Sequence, residues 1–344
     1  VMAKRLFARA VAGAVLFAAV TAVAAPASAD AVADFYKGKR VTLIAAASAG
    51  GGYDAYGRTL GMHLVKHLPG NPSFAVQFMP GAGGLTAANY LYNVAPRDGS
   101  VIGLISNAAP VFQVLKGGVK YDASKFNYIG RAGSMQYVIM VWHSQGVKSL
   151  EDMKTKEVIF GSSGKSQSNY MVPIVLKNLL GLRARVIAGY PGTKEISLAL
   201  EKGEVGGRAG AWSSWQTGHA HWLRDKLVIP VAQAGLEKAY DLPEAPLLLD
   251  MAKNDEDRAV LELLASDAAV GRGFLTMPGV PAERVEALRR AFDATMKDPA
   301  FLAEAKKRRL VIEPMTGEKL QTIVNKTVAA RPAIVARAKK VLEW

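Results

Sequence analysis

Short β-rich runs that alternate with helix-like segments constrain this chain more than any other feature of it. The first series comprises RVTLIAAA (40–47), a helix over 54–67, FAVQFM (74–79), a helix over 84–94 and VIGLIS (101–106). A strand–helix–strand order of this kind predicts a parallel sheet with helices packed on it. The second series comprises EVIFGSS (157–163), helices near 168–180 and 193–202, ARVIAGY (184–190), EVGGRAGAW (204–212) and LVIPVAQ (227–233). We therefore expect two α/β lobes.

Two further segments connect these series. NYIGRAGSMQYVIMVW (127–142) lies between them, SDAAVGRGFLTMPGVP (266–281) follows the second, and we interpret both as extended chain. Two extended crossings between two lobes predict a hinge. Beyond them, PAERVEALRRAFDATMKD (281–298) has apolar residues at helical spacing. We expect this C-terminal part to pack back on the first lobe.

The N-terminal segment has the pattern of a secretory signal. Lys4, Arg5 and Arg9 precede an alanine-rich apolar stretch (10–25), and an A-x-A site at 27–29 follows it. We expect cleavage after Ala29 and export of the mature protein. The chain has no cysteine, which suits an oxidising compartment because no thiol is left to mis-pair.

The charge of the chain is strongly positive. Removing the three cations of the signal lowers the formal net charge from +14 to +11. The densest basic cluster, KKRRL (306–310), lies on a predicted amphipathic helix, and we interpret it as a solvated face. No nucleic-acid-binding motif is present, so we expect no nucleic-acid partner. An excess of cations raises the local concentration of anionic solutes.

Two glycine-rich turns stand where ligands bind in parallel α/β sheets, between a strand and the following helix. They are SAGGGYDAYGR (48–58) and the start of FMPGAGGLTAANYL (78–91). Bare N–H groups and a helix start together favour a small anion such as a carboxylate. Asp54 begins a predicted helix, where it caps the helix or accepts hydrogen bonds from a ligand.

Other chemistries fit these residues poorly. The turn GAGGLT has Thr86 where the dinucleotide fingerprint needs glycine, and GSSGKS (161–166) has Ile159 where a phosphate loop needs glycine. Leu64 stands where a zinc-protease helix needs glutamate, and GSSGK lacks the serine-hydrolase pattern. We therefore expect no cofactor, no metal, no catalytic residue and no enzymatic activity.

The second series offers polar side chains at its strand ends. Ser162, Ser163 and Ser166 precede Asn169, and they either grip a polar ligand or cap a helix.

Aromatic residues and one arginine lie further along. Arg208 fits a bidentate pair with a carboxylate, and Tyr190 is a possible wall of the site. Trp212 and Trp215 either stack on a ligand ring or pack in the core.

These residues carry a family resemblance. Four parts of the chain are similar to motifs of one family. They are PGAGG (80–84) with DG (98–99), GGGYD (50–54), YPGTKEISLALEKGEVGG (190–207) and the stretch from Thr276 to Leu310. Over roughly 34–342 the chain resembles the substrate-binding proteins of tripartite tricarboxylate transporters, the Bug or TctC family.

The resemblance implies a two-lobed α/β periplasmic binding protein, type II-like. Two βα sandwich domains joined by a two-strand hinge would hold the ligand in the cleft between them. Lobe 1 would comprise 30–136 plus 270–344, and lobe 2 would comprise 137–269. One carboxylate would meet both glycine turns, partly through ordered waters. The implied ligand-binding residues are Ser48, Tyr53, Asp54, Gly81, Ala82, Gly83, Ser106, Asn107, Ser162, Ser163, Ser166, Asn169, Tyr190, Arg208 and Trp212.

The same resemblance implies a monomer that closes on a di- or tricarboxylate, or on an aromatic carboxylate. It would deliver this ligand, in secondary transport, to one small and one large integral membrane protein. The alternatives are a ligand sensor for a two-component receptor and a secreted enzyme acting on an organic acid. Gly206 departs from the family, which often has aspartate there. We therefore expect a second carboxylate on the ligand rather than an amine.

Overall fold

Two separate β-sheets organise this protein. The computed structural model describes residues 27–47, 49–50, 52–165, 167–239 and 241–344. The strands are β1 (Arg40–Ala45), β2 (Ser73–Phe78), β3 (Val101–Leu104), β4 (Asn127–Arg131), β5 (Tyr137–Trp142), β6 (Val158–Ser162), β7 (Ala184–Ala188), β8 (Gly207–Ala211), β9 (Val228–Ala234), β10 (Gly273–Thr276) and β11 (Met315–Thr316).

The α-helices connect these strands and cover the sheets. They are α1 (Ala27–Tyr36), α2 (Gly52–Leu64), α3 (Leu85–Asn93), α4 (Ala109–Lys116), α5 (Ser168–Asn178), α6 (Thr193–Glu201), α7 (Trp212–Gly218), α8 (Ala220–Arg224), α9 (Asp255–Val270), α10 (Ala282–Thr295), α11 (Pro299–Lys307), α12 (Gly317–Val328) and α13 (Pro332–Leu342). Within the described ranges, no helix is both long enough and apolar enough to span a bilayer.

The two sheets share one topology. The first has the order β11-β4-β10-β3-β1-β2 and the second the order β7-β6-β8-β5-β9. Each sheet contains three adjacent parallel strands, with β1 at the centre of the three in the first sheet and β6 in the second. The next strand, β10 or β5, is antiparallel to its neighbours. A lobe is the part of the chain that is built on one of these sheets. The predicted two-lobed α/β fold is therefore confirmed.

Two crossings join the lobes. Residues 132–136 lead from β4 in the first sheet to β5 in the second, as the extended segment 127–142 predicts. The return crossing differs from the prediction, because 266–270 belongs to helix α9 rather than to extended chain. Ala268 and Ala269 are buried there and favour a helix, which ends at Gly271 with φ of 49°.

The C-terminal helices divide between the lobes. Helices α10 and α12 pack on β4 of the first sheet, as expected. The last helix, α13, instead packs against α5, α9 and α4, and Ile334, Ala338 and Leu342 join the core of the second lobe. The expectation that the whole C-terminal part returns to the first lobe is therefore wrong for α13.

Candidate functional site

The two glycine turns leave adjacent strand ends. Strands β1 and β2 pair in parallel up to Ala45 and Phe78, so the turns that follow start side by side. Tyr53, after the first turn, and Ala82, in the second, line the same cleft. The predicted juxtaposition of the turns is therefore present.

The backbone of the second turn is unusual. Gly81, Ala82 and Gly84 all have positive φ, at 131°, 46° and 94°. A Cβ atom on Gly84 would lie 2.8 Å from the Cβ of Ser106, and one on Gly81 would lie 2.7 Å from Thr86 Oγ1. Glycine is required at these two positions because there is no room for a side chain. The turn therefore presents main-chain groups toward the cleft.

Asp54 organises the first turn. Its Oδ2 accepts a hydrogen bond from the Gly50 N–H (2.8 Å), and its Oδ1 accepts one from Arg58 Nε (2.9 Å). The bond from Gly50, followed by the interaction with Arg58, lowers the pKa of the Asp54 carboxyl. The contacts of this carboxylate lie within its own turn, where it fixes the direction of the backbone.

A chain of hydrogen bonds links the first turn to the other lobe. The Tyr53 hydroxyl donates to Asn107 Oδ1 (3.0 Å), and Asn107 Nδ2 donates to the Asp267 carbonyl oxygen (3.0 Å). The same Nδ2 lies 3.4 Å from the hydroxyl of Tyr137 on β5. Asn107 is buried, so its amide joins both lobes at the base of the cleft.

The cleft between the lobes has a volume of about 690 Å³. That volume falls in the range of small-molecule sites. Six of the predicted site residues line it: Tyr53, Ala82, Ser106, Asn107, Asn169 and Arg208.

Arg208 is the most unusual residue of this cleft. It lies on the central part of the second sheet, is 1% exposed, and stacks 3.8 Å from the centre of the Trp215 ring. None of its three side-chain nitrogens finds a hydrogen-bond partner in the part of the chain that the structure describes. Burial lowers its pKa to about 10, so the guanidinium is still charged at neutral pH. All three nitrogens are also shielded from solvent, so the guanidinium carries five N–H donors without an acceptor in the described part of the chain.

Gly210 makes room for this side chain. It follows Arg208 by two residues on β8, and therefore lies on the same face of the sheet. A Cβ atom on Gly210 would lie 3.6 Å from Arg208 Cζ and 3.3 Å from Trp215 Nε1. The backbone at Gly210 therefore lies against the guanidinium, and the tighter of the two contacts is with the Trp215 ring.

Two of the predicted serines, Ser162 and Ser163, hold the side chain of Asn169, which lines the cleft. Ser162 Oγ donates to Asn169 Oδ1 (2.9 Å), and Asn169 Nδ2 donates to Ser163 Oγ (3.1 Å). Ser162 itself is fully buried. These bonds hold the amide of Asn169 at the wall of the cleft. Ser48 and Ser166 lie outside the described residues, and Gly83 belongs to the short 3-10 helix Ala82–Gly84.

Tyr190 and Trp212, which were predicted to line the ligand site, lie in the core of the second lobe instead. Tyr190 and Trp212 pack against the apolar cluster around Trp215 and Trp222. Trp212 Nε1 donates to Asp241 Oδ1 at 2.8 Å. Among the aromatic candidates, Tyr53 is the one that lines the cleft.

Sequence reasoning missed several lining residues. Asp267 is the foremost, because it is a buried acid on α9 in the return crossing. Ser168 on α5 and Lys116 on α4 also line the cleft. The sequence carried one indication of this residue, because Asp267 is a lone charged residue within the otherwise small segment SDAAVG (266–271). In the described part of the chain, no group of histidine and acidic residues is arranged to hold a metal ion.

Comparison with known proteins gives the fold. No protein-family model and no curated protein matches the sequence. A TctC solute-binding protein from Polaromonas is similar in structure, with a TM-score of 0.68 and 17% identity over 90% of this chain and 99% of that one. The chain has the fold of TctC and Bug solute-binding proteins.

Two further structures agree. The periplasmic binding protein BugD has a TM-score of 0.61 and 19% identity, covering 89% of this chain and 98% of its own. Rpa4515 from R. palustris, determined with adipate, has a TM-score of 0.61 and 17% identity, covering 89% of this chain and 97% of its own. The family resemblance of the sequence motifs is thus confirmed at the level of the fold.

Proposed function

We propose that this protein is a periplasmic solute-binding protein of the Bug/TctC type, and that its ligand is a small dicarboxylate. The observation that carries the proposal is the buried, unpartnered guanidinium of Arg208 at the inter-lobe cleft. A buried cation is unfavourable until an anion pairs with it. A carboxylate supplies two acceptor oxygens in the geometry that the guanidinium fork prefers.

The other carboxylate of the ligand binds at the glycine turns of the first lobe. Bare N–H groups at strand ends and at the start of α2 and α3 form an anion site there. Tyr53 and Asn107 complete this site with side-chain hydrogen-bonding groups. The ligand therefore bridges a main-chain site in one lobe and a charged side chain in the other.

A ligand that contacts both lobes accounts for closure of the cleft. A ligand that contacts both lobes binds the closed form more tightly than the open form, so it shifts the equilibrium toward closure. The two crossings, 132–136 and the end of α9, are where this motion takes place. The closed protein then delivers the ligand to a tripartite tricarboxylate-type transporter, with one small and one large integral membrane subunit.

Tyr190 and Trp212 pack in the core of the second lobe, whereas Tyr53, Phe112 and Tyr137 line the cleft. We therefore take a dicarboxylate, aliphatic or aromatic, as the ligand class. The adipate in the Rpa4515 structure belongs to the same chemical class.

A thermal-shift screen of the mature protein against organic acids tests the proposal. A dicarboxylate at a hundredfold excess over its Kd stabilises the folded state by about 2.7 kcal/mol, and the melting temperature rises by on the order of 5 °C. Adipate is the first probe, and hexanoate, with the same chain length but one carboxylate, is its control. Melting curves that no organic acid shifts would contradict the proposed function.

A further inference from the structure

Asp267 stands apart from the other polar groups of the cleft. It lies in the last turn of α9, in the return crossing between the lobes, and it is 4% exposed. One side of it faces the cleft. The other side borders a small cavity of about 40 Å³ whose walls are mostly apolar, with Met171, Val175 and Leu261 among them.

The groups that face the Asp267 carboxyl are uncharged. Ser168 Oγ on α5 lies 3.5 Å from its Oδ2, and the Tyr137 hydroxyl on β5 faces the same group. Asn107 reaches the carbonyl oxygen of Asp267 rather than its carboxyl.

The nearby cations are engaged elsewhere or lie apart. Arg131 on β4 donates to the Ala269 carbonyl oxygen (2.9 Å), and Lys116 lies over the rings of Phe112 and Trp344. Arg208 and Lys116 line the same cleft, but across the described ranges no cation forms an ion pair with Asp267.

An acid in these surroundings prefers its neutral form. Desolvation raises the pKa of Asp267 to about 7, against the opposing effect of the hydrogen bonds from Ala268, Ser168 and Tyr137. A neutral carboxyl has one O–H donor, whereas an ionised one only accepts. A bound carboxylate also only accepts, so the two groups are compatible when Asp267 carries a proton and repel each other when it does not.

We propose that Asp267 is a specificity-determining residue that holds the ligand carboxylate through its own proton, so that capture of a dicarboxylate at alkaline pH takes up one proton. The proposal rests on the proposed function. We assign this contact to the carboxylate at the glycine turns, because Asp267, Tyr53 and Ala82 line one cleft and Asn107 holds the backbone carbonyl oxygen of Asp267 beside Tyr53. The proton comes from solvent and goes to an oxygen of Asp267, and no bond of the ligand breaks.

The pH dependence follows from this assignment. Aliphatic carboxylic acids are ionised above pH 6.5, so the ligand itself does not titrate in the range of interest. Below pH 7 Asp267 is protonated before the ligand arrives, and affinity is constant. Above pH 7 the protein must take up a proton to bind, and affinity falls by up to about tenfold for each pH unit.

Calorimetric titration with adipate at pH 6.5 and 8.5 measures this directly. For the wild-type protein we expect Kd to rise by about 25-fold between these values. Repeating the pH 8.5 titration in buffers of different ionisation enthalpy gives the number of protons taken up, which we expect to approach one.

Two variants sharpen the test. Asp267→Asn keeps the shape and an N–H donor but cannot ionise, so it should bind adipate without proton uptake and with the same Kd at both pH values. Asp293→Asn is the matched control, because burial also raises the pKa of Asp293 while the residue lies on α10. This control should keep the wild-type pH dependence.

The outcomes separate the two proposals. Adipate binding that is independent of pH, or tighter at pH 8.5, overturns the role of Asp267 and leaves the proposed function standing. Absence of adipate binding at every pH overturns both for this probe. If Asp267→Asn does not fold, the proton count of the wild-type protein decides by itself.

Discussion

At the scale of single residues, Arg208 is the position where stability and function oppose each other. A guanidinium that is buried without a partner destabilises the ligand-free protein, and the ring of Trp215 offsets this in part. The lowered pKa expresses the same penalty, which is present at every pH at which the arginine is charged. Under the proposed function, the ligand carboxylate relieves this cost when it pairs with the guanidinium.

Replacing the arginine separates the two effects. Arg208→Met retains an unbranched side chain that packs on Trp215 but has no charge to bury. We expect its free energy of unfolding without ligand to rise by about 1–3 kcal/mol, and its affinity for adipate to fall by about 100-fold. Urea unfolding and calorimetry measure these quantities.

Arg185→Met on β7 is the matched control, since Arg185 is exposed and pairs with Glu157 at the surface. It should change neither quantity appreciably. A ligand-free Arg208→Met protein that is less stable than the wild type would contradict the account.

The sequence predicted this arginine but not its surroundings. Its residue type identified Arg208, within the predicted strand 204–212, as a candidate for pairing with a carboxylate. Its burial depends on Trp215 and on Gly210, whose positions follow from tertiary packing of α7 on β8. Asp267 was missed although it is a lone acid in a small, apolar segment, because its burial beside Ser168 and Tyr137 depends on contacts distant in sequence.

At the scale of elements, the glycine turns were predictable and the return crossing was not. Glycine at positions with positive φ is a local requirement, which a single sequence displays. In 266–270 alanine favours a helix and valine a strand, so residue propensities in so short a segment do not decide between them, and packing does.

Gly84 allows the turn to be tested by itself. Gly84→Ala meets both a positive φ and the Cβ of Ser106 at 2.8 Å, so we expect a loss of stability of about 2–4 kcal/mol and weaker adipate binding. Gly118→Ala is the matched control, because Gly118 has φ of 67° and open space around it. It should lose about 1 kcal/mol and no affinity. Equal effects of the two substitutions on adipate binding would show that the packing of the second turn does not shape the site.

At the scale of the whole molecule, the strand–helix order predicted the three parallel strands of each sheet correctly. It did not predict that each sheet includes an antiparallel strand that follows a crossing from the other lobe. These strands are β5 in the second sheet and β10 in the first. Nor did it predict that α13 reaches across to the second lobe, because its partner α5 lies more than 150 residues earlier in the chain.

The measurement that tests the central claim most directly is the distance between the lobes with a diacid and with a monoacid. The chain has no cysteine, so Val94→Cys in the first lobe and Leu198→Cys in the second provide two labelling sites, both exposed. We predict that adipate shifts the single-molecule energy-transfer distribution to a closed population, and that hexanoate does not. In an Arg208→Met background adipate should behave like hexanoate. Equal closure by adipate and hexanoate, or closure by adipate that survives the loss of Arg208, would contradict the claim that a dicarboxylate bridges the glycine turns and this arginine.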